Sequence, residues 1–158
     1  MSPLDRLAAG HRHCLHWAGR LLAGAAPPTG DAAAALLACL DDAAPRQQAV
    51  EAGCLFPALI EAMAGSDAVC LRQMTQALAT DQRRLQTLWR RLRPRLGPAP
   101  AEAGTLHTAA DAADLQAFAA LQTAHSQRML AELLPMAGRL LDDAALARIG
   151  QALKARRL

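Results

Sequence analysis

The chain has 158 residues and a formal net charge of +3, with 53 % hydrophobic residues, only 3 % aromatic ones and no tyrosine. That length fits one domain, residues 1–158, which can bury roughly two thirds of its unfolded surface in a single core. A composition rich in Ala and Leu and poor in β-branched and aromatic types predicts an all-α protein, and no stretch reaches the ~18 apolar residues of a membrane span.

The first predicted helix covers about residues 3–23, where Leu4, Leu7, His11, Cys14, Ala18 and Leu21 recur at steps of three and four. His11 lies within this apolar stripe, while His13 is expected to face solvent and His16 with Trp17 to cap a seam between helices. The segment is amphipathic and lacks the apolar run of a signal peptide. After AGAAPPTG breaks the pattern, a second run over about 31–64 places Leu37, Leu40, Gln47, Glu51, Cys54 and Ala58 on one face. Pro45 inside it predicts a kink. Gly65 and Ser66 supply a C-terminal stop and an N-cap.

The third run, about 67–92, carries Leu71, Met74, Leu78, Gln82, Leu85, Trp89 and Leu92 inward. The prolines and glycine after it predict a long loop holding His107, exposed. Thr108 with Asp111 reads as the next helix start. A fourth run to about 141 then sets Leu115, Phe118, Leu121, His125, Met129, Leu133 and Met136 in register, with a kink at Pro135. Asp142 caps a short fifth helix over about 143–156. Mostly short connections favour an up-down-up-down antiparallel four-helix bundle with that fifth helix appended.

Arg83, Arg84, Arg90, Arg91, Arg93 and Arg95 follow one another on the third helix. With few aromatics to stack bases and no nucleic-acid motif, they read as a solvated face rather than a phosphate-binding one. Cys14, Cys39, Cys54 and Cys70 form no CxxC pair and fall near apolar faces, so they read as small buried hydrophobes in a reducing cytoplasm.

Each long helix interrupts its apolar stripe near the middle: His11, then Gln47 with Glu51, then Gln82, then His125. All should point inward. A buried ionised Glu costs several kcal/mol unless it is paired, hydrogen-bonded or bound to a cation, so something must satisfy Glu51. Bundle cores hold metals with histidines and carboxylates converging at mid-height, often one turn apart on the same helix. The stretches PRQQAVEAGCLFP and TAHSQRMLAELLP, residues 45–57 and 123–135, have this character and match each other: Gln47 aligns with His125, and Glu51 with Met129.

From LDRLAAGHR through LFPALIEAM, TDQRRLQTLWRRL and HSQRMLAELLPMA, the chain resembles the hemerythrin-like, or HHE cation-binding, family of bacterial proteins. The resemblance implies a di-iron bundle whose ligands are a first-helix His, an HxxxE pair on the second helix, an EH on the third and an HxxxE on the fourth. On that pattern His11, Glu51 and His125 match ligands. Gln47 replaces a His, Asp81-Gln82 stands for Glu-His, and Met129 replaces the second bridging carboxylate. Gln binds transition metals weakly and Met prefers softer ions, so an intact di-iron centre is not expected.

The surviving His11, Glu51 and His125 have the composition of a two-His, one-carboxylate site for a single transition-metal ion, iron first. Several alternatives stay open. One is an apo layer in which Glu51 accepts hydrogen bonds from the histidines and glutamines; another is haem held by His11, His125 or Met129. A redox role for Cys14, Cys54 or Cys70 and a homodimer or partner interface on the third and fifth helices also stay open. No nucleophile, base and orienting acid are arranged for catalysis, so a non-enzymatic binding or regulatory protein is expected, without nucleic-acid or membrane partners.

Overall fold

The computed structural model describes residues 1–23, 30–63, 65, 67–96 and 109–158. These residues are all-α, with five helical rods and no strand among them. Rod α1 is Pro3–Leu22. Rod α2 spans 30–62 and consists of Gly30–Ala38, Ala44–Val50 and Phe56–Ala62, joined by π-turns at Cys39–Ala43 and Glu51–Leu55. Rod α3 is Asp67–Leu92, extended by a 3₁₀ turn, Arg93–Leu96. Rod α4 spans 109–140, with a π-turn at Met129–Leu133 between Ala109–Arg128 and Leu134–Leu140, and α5 is Asp143–Ala155.

Local chemistry sets the ends. Ser2 Oγ accepts from the Asp5 backbone N–H while the Asp5 carboxylate accepts from the Ser2 N–H, a reciprocal cap on α1. Asp142 Oδ1 accepts from Ala145 N–H at 2.7 Å, the cap expected for α5. Gly65 follows α2 with φ +78°, a left-handed conformation that favours glycine. The expected cap Ser66, the start at Thr108 and the loop histidine His107 lie outside the described residues.

The expected kinks at Pro45 and Pro135 take the form of π-turns, and a third stands ahead of Pro57. In each case the residue just before the proline donates its N–H five residues back: Ala44 to Cys39, Phe56 to Glu51, Leu134 to Met129. A proline inside a helix lacks a donor and presses on the carbonyl four residues earlier, and the wider turn relieves both conflicts. The wider turn also steers side chains. In a regular helix a step of four overshoots one turn by about 40°. Yet Gln47, Glu51, Leu55 and Leu59, and likewise His125, Met129, Leu133 and Ala137, are all buried at successive steps of four. The π-turns cancel the drift and keep both stripes facing inward.

Rod α1 packs most extensively along α4, which also receives α3; α2 touches α1, α3 and α4, and α5 lies against α1 and α2. The apolar interior has two parts. One gathers Leu7, Val50, Leu55, Leu59, Leu78, Met129, Leu133, Ile149 and Leu153, and the other Cys14, Trp17, Leu36, Cys39, Leu85, Trp89, Leu92 and Phe118.

Two cysteines depart from expectation. Cys14 and Cys39 are buried, but Cys54 is half-buried and Cys70 exposed, because Cys70 lies one position off the inward stripe set by Leu71. Arg83, Arg84, Arg90 and Arg91 are exposed. Arg91 and Arg95 approach Asp114 at 3.6 and 3.2 Å, and Arg93 meets Asp41 at 2.8 Å, so the basic run is a solvated face laced with ion pairs. His13 is exposed and accepts from Trp17 Nε1 at 3.1 Å; exposed His16 meets the same indole edge-on. No helix of the described residues is long and apolar enough to cross a membrane.

Candidate metal centre

The polar interruptions converge. His11, Gln47, Glu51, Gln82 and His125 are all buried, with Glu51 fully enclosed and His125 at 1 % exposure. Helical periodicity dictates this placement, since each has apolar neighbours one turn away on either side.

Glu51 is the hub. Its Oε1 accepts from His11 Nε2 and from Gln47 Nε2, each at 2.8 Å, and its Oε2 accepts from Gln82 Nε2 at 2.7 Å. Three donors from three rods thus meet one carboxylate. Burial by itself would raise the Glu51 carboxyl. Attraction to the His11 imidazole and the hydrogen bonds from His11 and Gln47 outweigh it and hold the group below the ordinary carboxylate value. Glu51 is therefore ionised.

Gln47 also donates to the Leu7 carbonyl at 3.1 Å, which ties α2 to α1. Its amide lies so close to Gly10 that a Cβ built there would stand 1.8 Å from Gln47 Oε1. On the other face of His11, Nδ1 lies 3.3 Å from Ser126 Oγ, and Ser126 Oγ accepts from Gln122 Nε2 at 2.9 Å. A continuous relay results: Gln122 to Ser126 to His11 to Glu51. His11 Nε2–H donates to the carboxylate, and Nδ1 stands within hydrogen-bond reach of the serine hydroxyl.

His125 is different. Its ring centroid lies 5.7 Å from that of His11, yet neither of its ring nitrogens has a hydrogen-bond partner, and both are buried. Burial drives its imidazole down to about 4, against the pull of the Glu51 charge, so the ring is neutral near pH 7 and keeps a lone pair free. One ligand atom each from His11, Glu51 and His125 lies within 4.8 Å of the others. Two imidazole nitrogens and one carboxylate oxygen form a donor set that a single transition-metal ion accepts. Donors on one ion with bonds of ~2.0–2.1 Å stand at most about 4 Å apart, so the set must close slightly around it.

Gln47, Gln82 and Met129, where the resemblance implies replaced ligands, have other partners. Gln47 and Gln82 are spent on Glu51, and Met129, fully buried, packs in the first apolar cluster. Sequence reasoning did not single out Ser126, Gln122 or Gly10. Gln122 and Ser126 are one turn apart and flank His125, a spacing that could have flagged them; Gly10 gives no signal beyond standing next to His11. Gln122 also lines a surface groove of about 670 Å³ with Trp89, Phe118 and Gln48.

No family model, curated protein or solved structure matches the chain.

Proposed function

We propose that the chain is a hemerythrin-like up-down-up-down four-helix bundle that has lost its di-iron centre and holds one transition-metal ion, ferrous iron first, through His11, Glu51 and His125. In this reading it is a non-enzymatic binding or regulatory protein. The order of the apolar clusters along each rod supports the bundle topology. Rod α1 runs from the Leu7 cluster through His11 to the Trp17 cluster; α2 runs back through Gln47 and Glu51; α3 repeats the first direction through Gln82, and α4 the second through His125. One polar layer crossed in alternating directions is what an up-down bundle produces.

The observation that carries the metal reading is the orphaned His125. A buried imidazole with two unpartnered nitrogens loses roughly 1–3 kcal/mol per unmet group, and a cation bound at its lone-pair nitrogen removes that nitrogen's share. The ion brings Lewis acidity and open positions for a small ligand. Groups from this chain supply the rest: Glu51 the counter-charge, Ser126 and Gln122 the orientation of His11.

Anaerobic titration of chelator-stripped protein with ferrous ion, and separately with zinc and cobalt, tests the proposal. One equivalent per chain is expected, lost in both His125→Ala and Glu51→Gln. A second reading has its own support, because Glu51 is fully hydrogen-bonded without any ion and such a layer can fix helix register alone. No binding of any of the three ions would favour that reading over the metal site.

A further inference from the structure

Away from the polar layer, two thiols from different rods face each other. Cys14 on α1 and Cys39 on α2 hold their sulfurs 3.8 Å apart, both buried, within the cluster that includes Trp17, Leu36, Leu40 and Leu85. We propose that Cys14 and Cys39 are a reversible dithiol–disulfide pair, oxidised by small hydroperoxides, that staples α1 to α2. This site is independent of the metal reading.

A disulfide bond of ~2.05 Å needs the sulfurs to approach by less than 2 Å, a distance within side-chain rotation when the two backbones already flank each other. Cys39 opens the first π-turn, where the Ala44 N–H reaches back five residues to its carbonyl. The two thiols are also unequal. Contact with the Cys14 thiol holds the Cys39 thiol below its ordinary value, whereas the same contact and burial push Cys14 up. Cys39 is accordingly the first nucleophile, and Cys14 the resolving thiol.

The chemistry balances as follows. The Cys39 sulfur attacks one oxygen of the hydroperoxide; the O–O bond breaks, and the departing oxygen leaves as an alcohol, or as water from hydrogen peroxide, taking the thiol proton. Cys39 is now a sulfenic acid. The Cys14 sulfur attacks the Cys39 sulfur, the S–O bond breaks, and hydroxide leaves as water with the Cys14 proton. The sulfur pair has lost two electrons and the peroxide bond has gained them. A thiol reductant reverses the bond by exchange. With only 5 % and 4 % of their surfaces exposed, the two cysteines are shielded from bulky aromatic disulfides, which should react with exposed Cys70 instead.

The test treats the full chain, kept metal-free with a chelator, with hydrogen peroxide and maps its peptides without reduction. The expected product is a Cys14–Cys39 cross-linked pair that dithiothreitol reverses, with a thermal midpoint about 5 °C or more above the reduced form. In Cys14→Ala, where no resolving thiol remains, dimedone present while the peroxide-treated protein is unfolded should label Cys39. Thiols persisting at 14 and 39 while Cys70 is oxidised would overturn the proposal, as would cross-links running only between chains through Cys70. Absence of a dimedone adduct at Cys39 in a Cys14→Ala variant of native helicity would overturn the order of attack.

Discussion

His11 and His125 lie with ring centroids 5.7 Å apart, yet one ring is hydrogen-bonded at both nitrogens and the other at neither. The asymmetry follows from who reached Glu51 first. Rod α1 delivers His11 to Oε1, and the amides of Gln47 and Gln82 donate to Oε1 and Oε2. His125 reaches neither oxygen with a hydrogen bond. A buried carboxylate held ionised and a buried imidazole held neutral both resist protonation, and this sets the acid response of the fold.

Stability of the metal-free protein should fall as pH drops from 6.5. The His125 imidazole is held at about 4 in the fold against 6.5 when free, so between those values the unfolded chain takes up a proton that the native one refuses. Its contribution is whole above pH 6.5, declines down to about pH 4 and then levels off. Glu51 has the same sign at lower pH: its carboxyl is depressed below the ordinary 4.5, so its stabilisation is present above that value and is lost as pH falls through the folded one. Urea unfolding should give about 2 kcal/mol less stability at pH 5 than at pH 7.5. His125→Asn should flatten that slope, and an unchanged slope in the variant would assign the effect elsewhere.

The two changes at the hub should separate widely. Glu51→Ala strands three buried donors and should cost about 3–5 kcal/mol. Glu51→Gln keeps one oxygen for His11 and Gln47, and its amide nitrogen can face a Gln82 side chain turned to present its own oxygen. That change should cost under about 2 kcal/mol. Chemical denaturation of both variants without metal measures the gap, and equal losses would mean that the charge, rather than the hydrogen-bond count, governs the layer.

Much of this was legible before any coordinates. The polar residues of each stripe could be picked out because leucines one turn away fix which way a helical side chain points, and His11, Gln47, Glu51, Gln82 and His125 are buried as that register requires. What periodicity cannot give is azimuth after a distortion or pairing across rods. The π-turns at Glu51 and Met129 decide which residues stay inward beyond them, and only Pro57 and Pro135 hint at their existence. The partnership of Ser126 with His11, and of Cys14 with Cys39, depends on how far one rod slides along another. Neither stripe records that displacement.

Gly10 illustrates a requirement invisible in one helix taken alone. Its φ is ordinary, and its lack of a side chain matters because the Gln47 amide fills the space a Cβ would take. Gly10→Ala should gain helix propensity of up to ~1 kcal/mol and still destabilise, since Gln47 must abandon the Leu7 carbonyl and Glu51, at about 1–3 kcal/mol. Adding Gln47→Ala should make Gly10→Ala nearly neutral. A double-mutant cycle measures the coupling, and simple additivity would place the clash somewhere other than this pair.

Met129 offers the sharpest test of the inferred ancestry of the layer. It opens its π-turn as Glu51 opens the other, one helical step beyond His125, and it is fully buried among Leu7, Val50, Leu78 and Leu133. Met129→Glu alone should therefore cost several kcal/mol in metal-free protein, because an ionised carboxylate enters an apolar cluster with no partner. Joined to Gln47→His and Gln82→His, the same carboxylate gains two imidazoles and the existing His11, Glu51 and His125 as company for metal. The triple variant should be weak without iron and recover most of the loss when ferrous ion is added, since a ligand that binds only the folded state stabilises it in proportion to its affinity. Thermal melts with and without iron, paired with iron content per chain, read this directly. A folded triple variant that takes up no more iron than the parent would show that these positions do not share one centre.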